Sequence, residues 1–194
     1  MKKVLSLLVV CMLGMHAFAQ EFRHGAGTGV MVQAPELGDA EGLATLLYYP
    51  RVNFPVSNNA AVSVGVPLTF ALGSSFSWGS SVNSTSISFA FNAPVTADFN
   101  FGAGAVKNNG KRFGFFAGAG FGYHYATFRE DVDYSDYGSY TAKGSGAGVG
   151  PAGDAGVRFK VGQRNHNIEI RASYMRTISD NVYDVFGLNC LFNF

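Results

Sequence analysis

The side chains of this chain best suited to hold a metal or move a proton are His24, His124 and His166. They fall on different predicted elements, whereas a zinc site or a hydrolytic triad needs its groups converging on one point. His124 is followed by Tyr125 and Ala126, so no serine stands beside it as a partner, and it reads as a hydrogen-bonded interior residue. The glycine-rich run at 114–122 lacks the Lys-Ser/Thr ending and following helix of a phosphate loop. Asn83-Ser84-Thr85 matches a glycosylation triplet by coincidence of composition. An acidic, tyrosine-rich stretch, 130–140, carries carboxylates at alternate positions without the spacing of a calcium loop, and reads as a solvated or protein-contacting surface. These residues predict no catalytic site, no metal and no cofactor.

The N-terminus points to export. Lys2 and Lys3 precede an apolar run at 4–15 in which Ser6 is the one polar residue, and Ala17-Phe18-Ala19 offers small residues where a signal peptidase reads. The run is shorter than the ~20 residues a membrane-spanning helix needs. We therefore expect residues 1–19 to be a cleaved signal and 20–194 to form one domain. Cleavage removes Lys2, Lys3 and Cys11, leaving a near-neutral chain with Cys190 as its single thiol. That argues against nucleic acid as a partner and against an internal disulfide.

Glycine supplies 25 of 194 residues and charged residues 14%, where soluble chains average about 7% and about 25%. Phe and Tyr add 18 and 9. Such a chain suits an outer surface against lipid and a tightly filled inner one. Period-two alternation recurs in eight segments, near 24–33, 44–54, 60–72, 86–101, 113–128, 142–160, 167–178 and 183–194. The links at 55–59, 107–112 and 162–166 are short and rich in turn residues. Those at 34–43, 73–85 and 130–141 are longer, with 179–182 a short exception. Membrane barrels show this asymmetry, with short periplasmic turns and long external loops.

One face of each segment is bulky and apolar. In the fifth, Phe113, Phe115, Ala117, Ala119, Phe121, Tyr123 and Tyr125 oppose a face that is mostly glycine. Phe54, Phe99, Phe101, Phe113, Phe115, Phe159, Phe192 and Phe194 all fall beside the short turns or the C-terminus, as an aromatic girdle at a lipid interface would. Small residues on the other face fit the narrow interior of an eight-strand barrel. The expected fold is therefore all-β: a closed, antiparallel, eight-stranded, up-and-down transmembrane β-barrel.

The stretch Phe186-Gly187-Leu188-Asn189-Cys190-Leu191-Phe192-Asn193-Phe194 resembles the C-terminal strand of bacterial outer-membrane β-barrels, with Phe192 where many members have Tyr. Nearly the whole chain is similar to the small eight-stranded barrels of the OmpX and OmpA membrane-domain type. The resemblance implies a Gram-negative outer-membrane location. It also implies that Phe186, Leu188, Cys190, Phe192 and Phe194 are what the barrel-assembly machinery reads. No peptidoglycan-anchoring domain is expected after the barrel, and the His-x-Ser pair of the lipid-modifying barrels is missing at His124.

With the apolar face outward, Arg51, Asp98, Asp154, Arg158, Glu169 and Arg171 point inward. Charges in a narrow interior must pair, so these six predict a salt-bridged plug. The outward register places Arg129, Lys143 and Arg176 near the external rim, where they would form one basic patch against lipopolysaccharide phosphates. The expected function is that of a plugged structural or interaction barrel of the cell envelope, meeting lipid, lipopolysaccharide and a surface partner through its loops. The alternatives are a narrow channel for ions or small solutes, a lipid-modifying enzyme, and a soluble lipocalin-like carrier.

Overall fold

The computed structural model describes residues 20–35, 40–77, 84–134, 138–162, 166–178 and 183–194. The expected signal at 1–19 lies outside the described residues, as do the glycosylation-like Asn83, the link at 179–182 and the middle of the turn at 162–166. Nine strands follow in order: β1 (Glu21–Pro35), β2 (Glu41–Ser57), β3 (Ala60–Gly65), β4 (Leu68–Ser77), β5 (Ser84–Gly102), β6 (Phe113–Tyr134), β7 (Gly138–Lys160), β8 (Asn167–Arg176) and β9 (Tyr183–Asn193). Apart from β3 and β4, consecutive strands pair antiparallel, and β1 pairs with both β2 and β9, which closes the ring. β3 and β4 lie end to end between β2 and β5, so nine strands make eight staves.

The third stave, expected as one strand over 60–72, is interrupted at Val66-Pro67 because proline has no N–H to give the ladder. Gly65↔Thr96 and Thr69↔Asn92 bracket the gap, which sets Pro67 level with Pro94 of β5. The N–H of Val66 is still satisfied, donating to the Pro50 carbonyl at 3.1 Å.

Alternation puts apolar side chains outside. Leu46 is 59% exposed and Leu188 53%, whereas Arg51 and Glu169 are at most 1% exposed. This inversion of the soluble pattern is what hydrocarbon demands of a barrel wall. Phe101 packs on Phe115 and Phe113 on Phe159, each with ring centroids 5.4 Å apart, in the girdle at the short-turn end. A second aromatic level lies further up the wall, where Phe70 meets Phe91 and Tyr174 meets Phe186, each at 5.0 Å.

Two regions depart from the expected outline. The link at 130–141 is strand over all of its described residues. β6 and β7 stay paired to Tyr134↔Gly138, forming a ribbon that outruns the wall. At the other end, residues 103–112 do not hang free as a plain turn. Residues 103–106 fold under the barrel, with Ala103 and Ala105 at 1% and 0% exposure. Asn53 Nδ2 donates to the carbonyls of Ala105 and Gly104 at 3.0 and 3.3 Å, and Gly102 and Gly104 supply the left-handed backbone this inward fold requires (φ 78° and 75°).

Candidate functional site

The wall and the inward parity of its strands define one site, a cross-section of the interior toward the short-turn end. Arg158 of β7 faces Glu169 of β8 in the ladder, and Arg171 lies two residues further along β8 on the same face. Arg51 of β2 and Asp98 of β5 reach the same level from across the ring, and Asp154 follows from β7. The structure brings all six inward charges together, with side-chain exposure between 0% and 2%.

Glu169 is the hub. Its Oε2 accepts from Arg158 Nε at 2.7 Å, Arg51 Nη1 at 3.2 Å and Asn193 Nδ2 at 3.1 Å, while Oε1 accepts from Arg171 Nε at 2.8 Å. Arg171 spends its remaining fork on Asp98 Oδ2, at 3.1 Å, and on Asp154 Oδ2. Three guanidinium groups thus share one carboxylate, and one guanidinium bridges three carboxylates. Ions this deep are tolerable only when each is paired and hydrogen-bonded, and the delocalised Arg fork serves several partners at once.

Several further residues complete the cross-section, and parity alone did not single them out. The rings of Tyr49 and Phe116 flank Arg171, with its guanidinium carbon 4.2 and 4.4 Å from their centroids. Arg51 lies over Tyr49 at 4.9 Å and Arg158 over Phe116 at 4.4 Å. Tyr49 also donates its hydroxyl proton to Asp98 Oδ2 at 2.7 Å. Space for Phe116 comes from its ladder partner Gly156, where an added Cβ would strike the ring. Below this level lies a floor of buried asparagines: Asn193 donates to Asn167 Oδ1 at 2.8 Å, and Asn100 to Ser63 Oγ at 2.9 Å while accepting from Arg158. The readable signal for the aromatics was a large ring on an otherwise small inward face. Asparagine gave none, because it is equally at home in a turn.

Above the ion pairs the interior turns apolar, with Met31, Leu43, Ala71, Ala90, Ala126, Ala152, Met175 and Val185 packed together. His124 stands in this upper part at 1% exposure, its Nε2 3.0 Å from Gln33 Oε1. His24 and His166 are both at the short-turn end, outside the wall: His24 Nδ1 is 2.6 Å from Tyr48 Oη, and His166 lies against Phe192 with centroids 5.4 Å apart. Among the described residues no cluster of His, Cys, Asp and Glu could hold a metal.

The three basic residues expected at the external rim do not form one patch. Arg129 and Lys143 are direct ladder partners, but Met175↔Ala152 sets Arg176 level with Pro151. Lys143 is eight residues further along β7, about 27 Å at strand rise. The strands were expected to end near 128 and 142, but β5, β6 and β7 run on past that level, Arg129 pairing with Ser86 on one side and Lys143 on the other. Arg176 stays at the upper aromatic level, half exposed, 3.8 Å from Asp184. On β9, Phe186, Leu188, Cys190, Phe192 and Phe194 all face outward, with Cys190 a free thiol.

A closed antiparallel ring, apolar outside and ionic within, defines a transmembrane β-barrel. The chain belongs to the family of outer membrane protein beta-barrel domains, whose pattern matches residues 5–194. Its fold is similar to that of Ail, the attachment invasion locus protein of Yersinia pestis, at 16% identity and a TM-score of 0.50 over 91% of this chain and 99% of that one. It is also similar to Neisserial surface protein A, at 12% identity and a TM-score of 0.51 over 90% and 97%. No curated protein matches it in sequence.

Proposed function

We propose that this protein is a sealed barrel of the cell envelope that acts through what it raises above the membrane, not through solute passing inside it. The observation that carries the reading is the cross-section at Glu169, where six charged side chains, almost wholly buried, pack together with two aromatic rings. The β6–β7 ribbon is then the part that meets a partner at the cell surface, and its acidic, tyrosine-rich tip sequence suits a protein contact. Residues 1–19 serve as the removable export signal, and the outward row Phe186, Leu188, Cys190, Phe192 and Phe194 is presented to the assembly machinery. No catalytic step is assigned to the barrel.

Contact with lipopolysaccharide divides between two heights. Arg176, at the upper aromatic level, is placed for the lipid phosphates, and the Arg129–Lys143 pair for anionic groups further out.

Purified protein in a planar bilayer tests the central claim. We expect no stable openings, and steady single-channel steps of porin size would overturn the sealed-barrel reading. Replacing residues 132–140 with a short Asn-Gly turn should leave the heat-modifiable gel mobility of the barrel intact and abolish surface contact.

A further inference from the structure

The short-turn end, periplasmic by the asymmetry of its links, is positively charged. Among the described residues it carries Arg23, Lys107, Lys111, Arg112 and Lys160 against the single acid Glu21. Glu21 is already committed: Oε2 is 2.7 Å from Arg23 Nη2, and Oε1 accepts from the Lys107 N–H at 3.1 Å. Lys111, Arg112 and Lys160 have no ion-pair partner among the described residues.

Between them lies a shallow cleft, open to solvent, lined by Arg23, Asn109, Lys111, Lys160, His166 and Asn167. Its innermost polar group is unsatisfied. Asn167 is 1% exposed, and its Oδ1 accepts from Asn193, but its Nδ2 has no acceptor. His166 Nδ1 is likewise buried without a partner. A buried donor left in this state is costly and points to something missing that would accept from it. Gly104 keeps the space free, since a Cβ there would come within 2.8 Å of Asn167 Nδ2.

The cleft therefore offers an amide donor at its base and is lined by two lysines without an ion-pair partner, with the one acidic side chain of this end turned to Arg23. An anion with several acceptor oxygens fits that set, and a phosphate does so without bringing a donor that would go unmet. The depth is also specific. Lys160 directly follows Phe159 and His166 lies against Phe192, both members of the aromatic girdle. Such girdles mark the headgroup level of a bilayer, where basic side chains attract anionic lipids.

We propose that this cleft binds the phosphate of a phospholipid headgroup in the periplasmic leaflet. The proposal rests on the membrane placement of the barrel and on which end faces the periplasm, and is independent of the ribbon and of the sealed interior.

The test is thermal unfolding of the full barrel in a maltoside detergent, read by heat-modifiable gel mobility, with phosphatidylglycerol, inorganic phosphate or a neutral diglyceride of the same acyl chains added. Saturating phosphatidylglycerol should raise the midpoint by about 5 °C. The rise should shrink in high salt and disappear in a Lys111→Gln, Lys160→Gln variant whose midpoint in detergent alone is unchanged. Protection by inorganic phosphate as well would mean that the cleft takes the bare group. Protection by phosphatidylglycerol alone would assign the lipid as its source. An equal rise with the neutral diglyceride, no rise with either phosphate source, or a rise the double variant retains would overturn the proposal. Should the variant fail to fold, the salt dependence of the wild-type shift decides, and a shift indifferent to salt overturns it.

Discussion

β7 runs through two settings. From Ala152 to Lys160 it is held by β6 on one edge and β8 on the other, its inward residues reach ion pairs, and its outward ones face lipid. From Gly138 to Lys143 it belongs to the ribbon, with β6 as its strand partner among the described residues. Within the wall, two different media set which residue type each position can carry. In the ribbon the alternation fades from the sequence although the backbone pairing continues. Hydrogen bonding alone can therefore maintain a strand, but only a contrast between its two sides writes that strand into the sequence.

The sharpest way to break this contrast is at the hub. Glu169→Ala removes the carboxylate shared by Arg51, Arg158 and Arg171 and leaves the buried guanidinium groups of Arg51 and Arg158 without an ion-pair partner, at an expected cost of about 3–5 kcal/mol. Urea unfolding in detergent should show a barrel that folds poorly or unfolds at much lower denaturant, and near wild-type stability would mean the pairs carry little weight. A smaller loss is expected from Tyr49→Phe, which keeps the ring over Arg171 and removes the hydrogen bond to Asp98; about 1–2 kcal/mol should go. The same titration measures it, and an unchanged midpoint would show that Asp98 needs only Arg171.

Arg176→Gln should cost no more than about 0.5 kcal/mol, because its 3.8 Å pairing with Asp184 is half exposed. Its readout is the thermal midpoint with and without lipopolysaccharide: the variant should lose part of the gain that lipopolysaccharide confers, and an undiminished gain would remove Arg176 from that contact. Smallest of all should be the ribbon. Replacing 132–140 by an Asn-Gly turn should move barrel stability by less than about 0.5 kcal/mol. A large loss there would mean that ribbon and wall fold as one unit.

The same contrast explains what could be read beforehand. Eight staves, their parity and the girdle at the short-turn end follow from residues such as Phe113, Phe115 and Gly114, since lipid on one side and tight packing on the other leave distinct marks. The inward position of Arg51, Asp98, Asp154, Arg158, Glu169 and Arg171 follows from the same parity. Which pairs with which does not, because Arg51 and Glu169 meet only through closure of the ring. Positions 130–134 and 138–141 lost their strand signal once clear of the membrane, which is why Arg129 and Lys143 were expected level with Arg176. The inward fold of residues 103–106 was hidden for another reason: Gly104 and Ala105 suit both a free turn and a crowded one, and only Asn53 above them decides.

The seam between β1 and β9 imposes an order in time. His24 and Phe194 exchange backbone hydrogen bonds, N to O at 3.3 and 2.9 Å, and the ladder between these strands runs on to Pro35↔Tyr183. Until β9 arrives, β1 and β8 each carry a bare row of N–H and C=O groups that hydrocarbon does not solvate. A half-built sheet of this chain therefore has no stable place in the bilayer, however well its local hairpins form. Neighbouring strands can pair early and cheaply, but the last pairing joins the most distant parts of the chain and is correspondingly slow. Stable insertion in the bilayer and closure of the ring are thereby coupled.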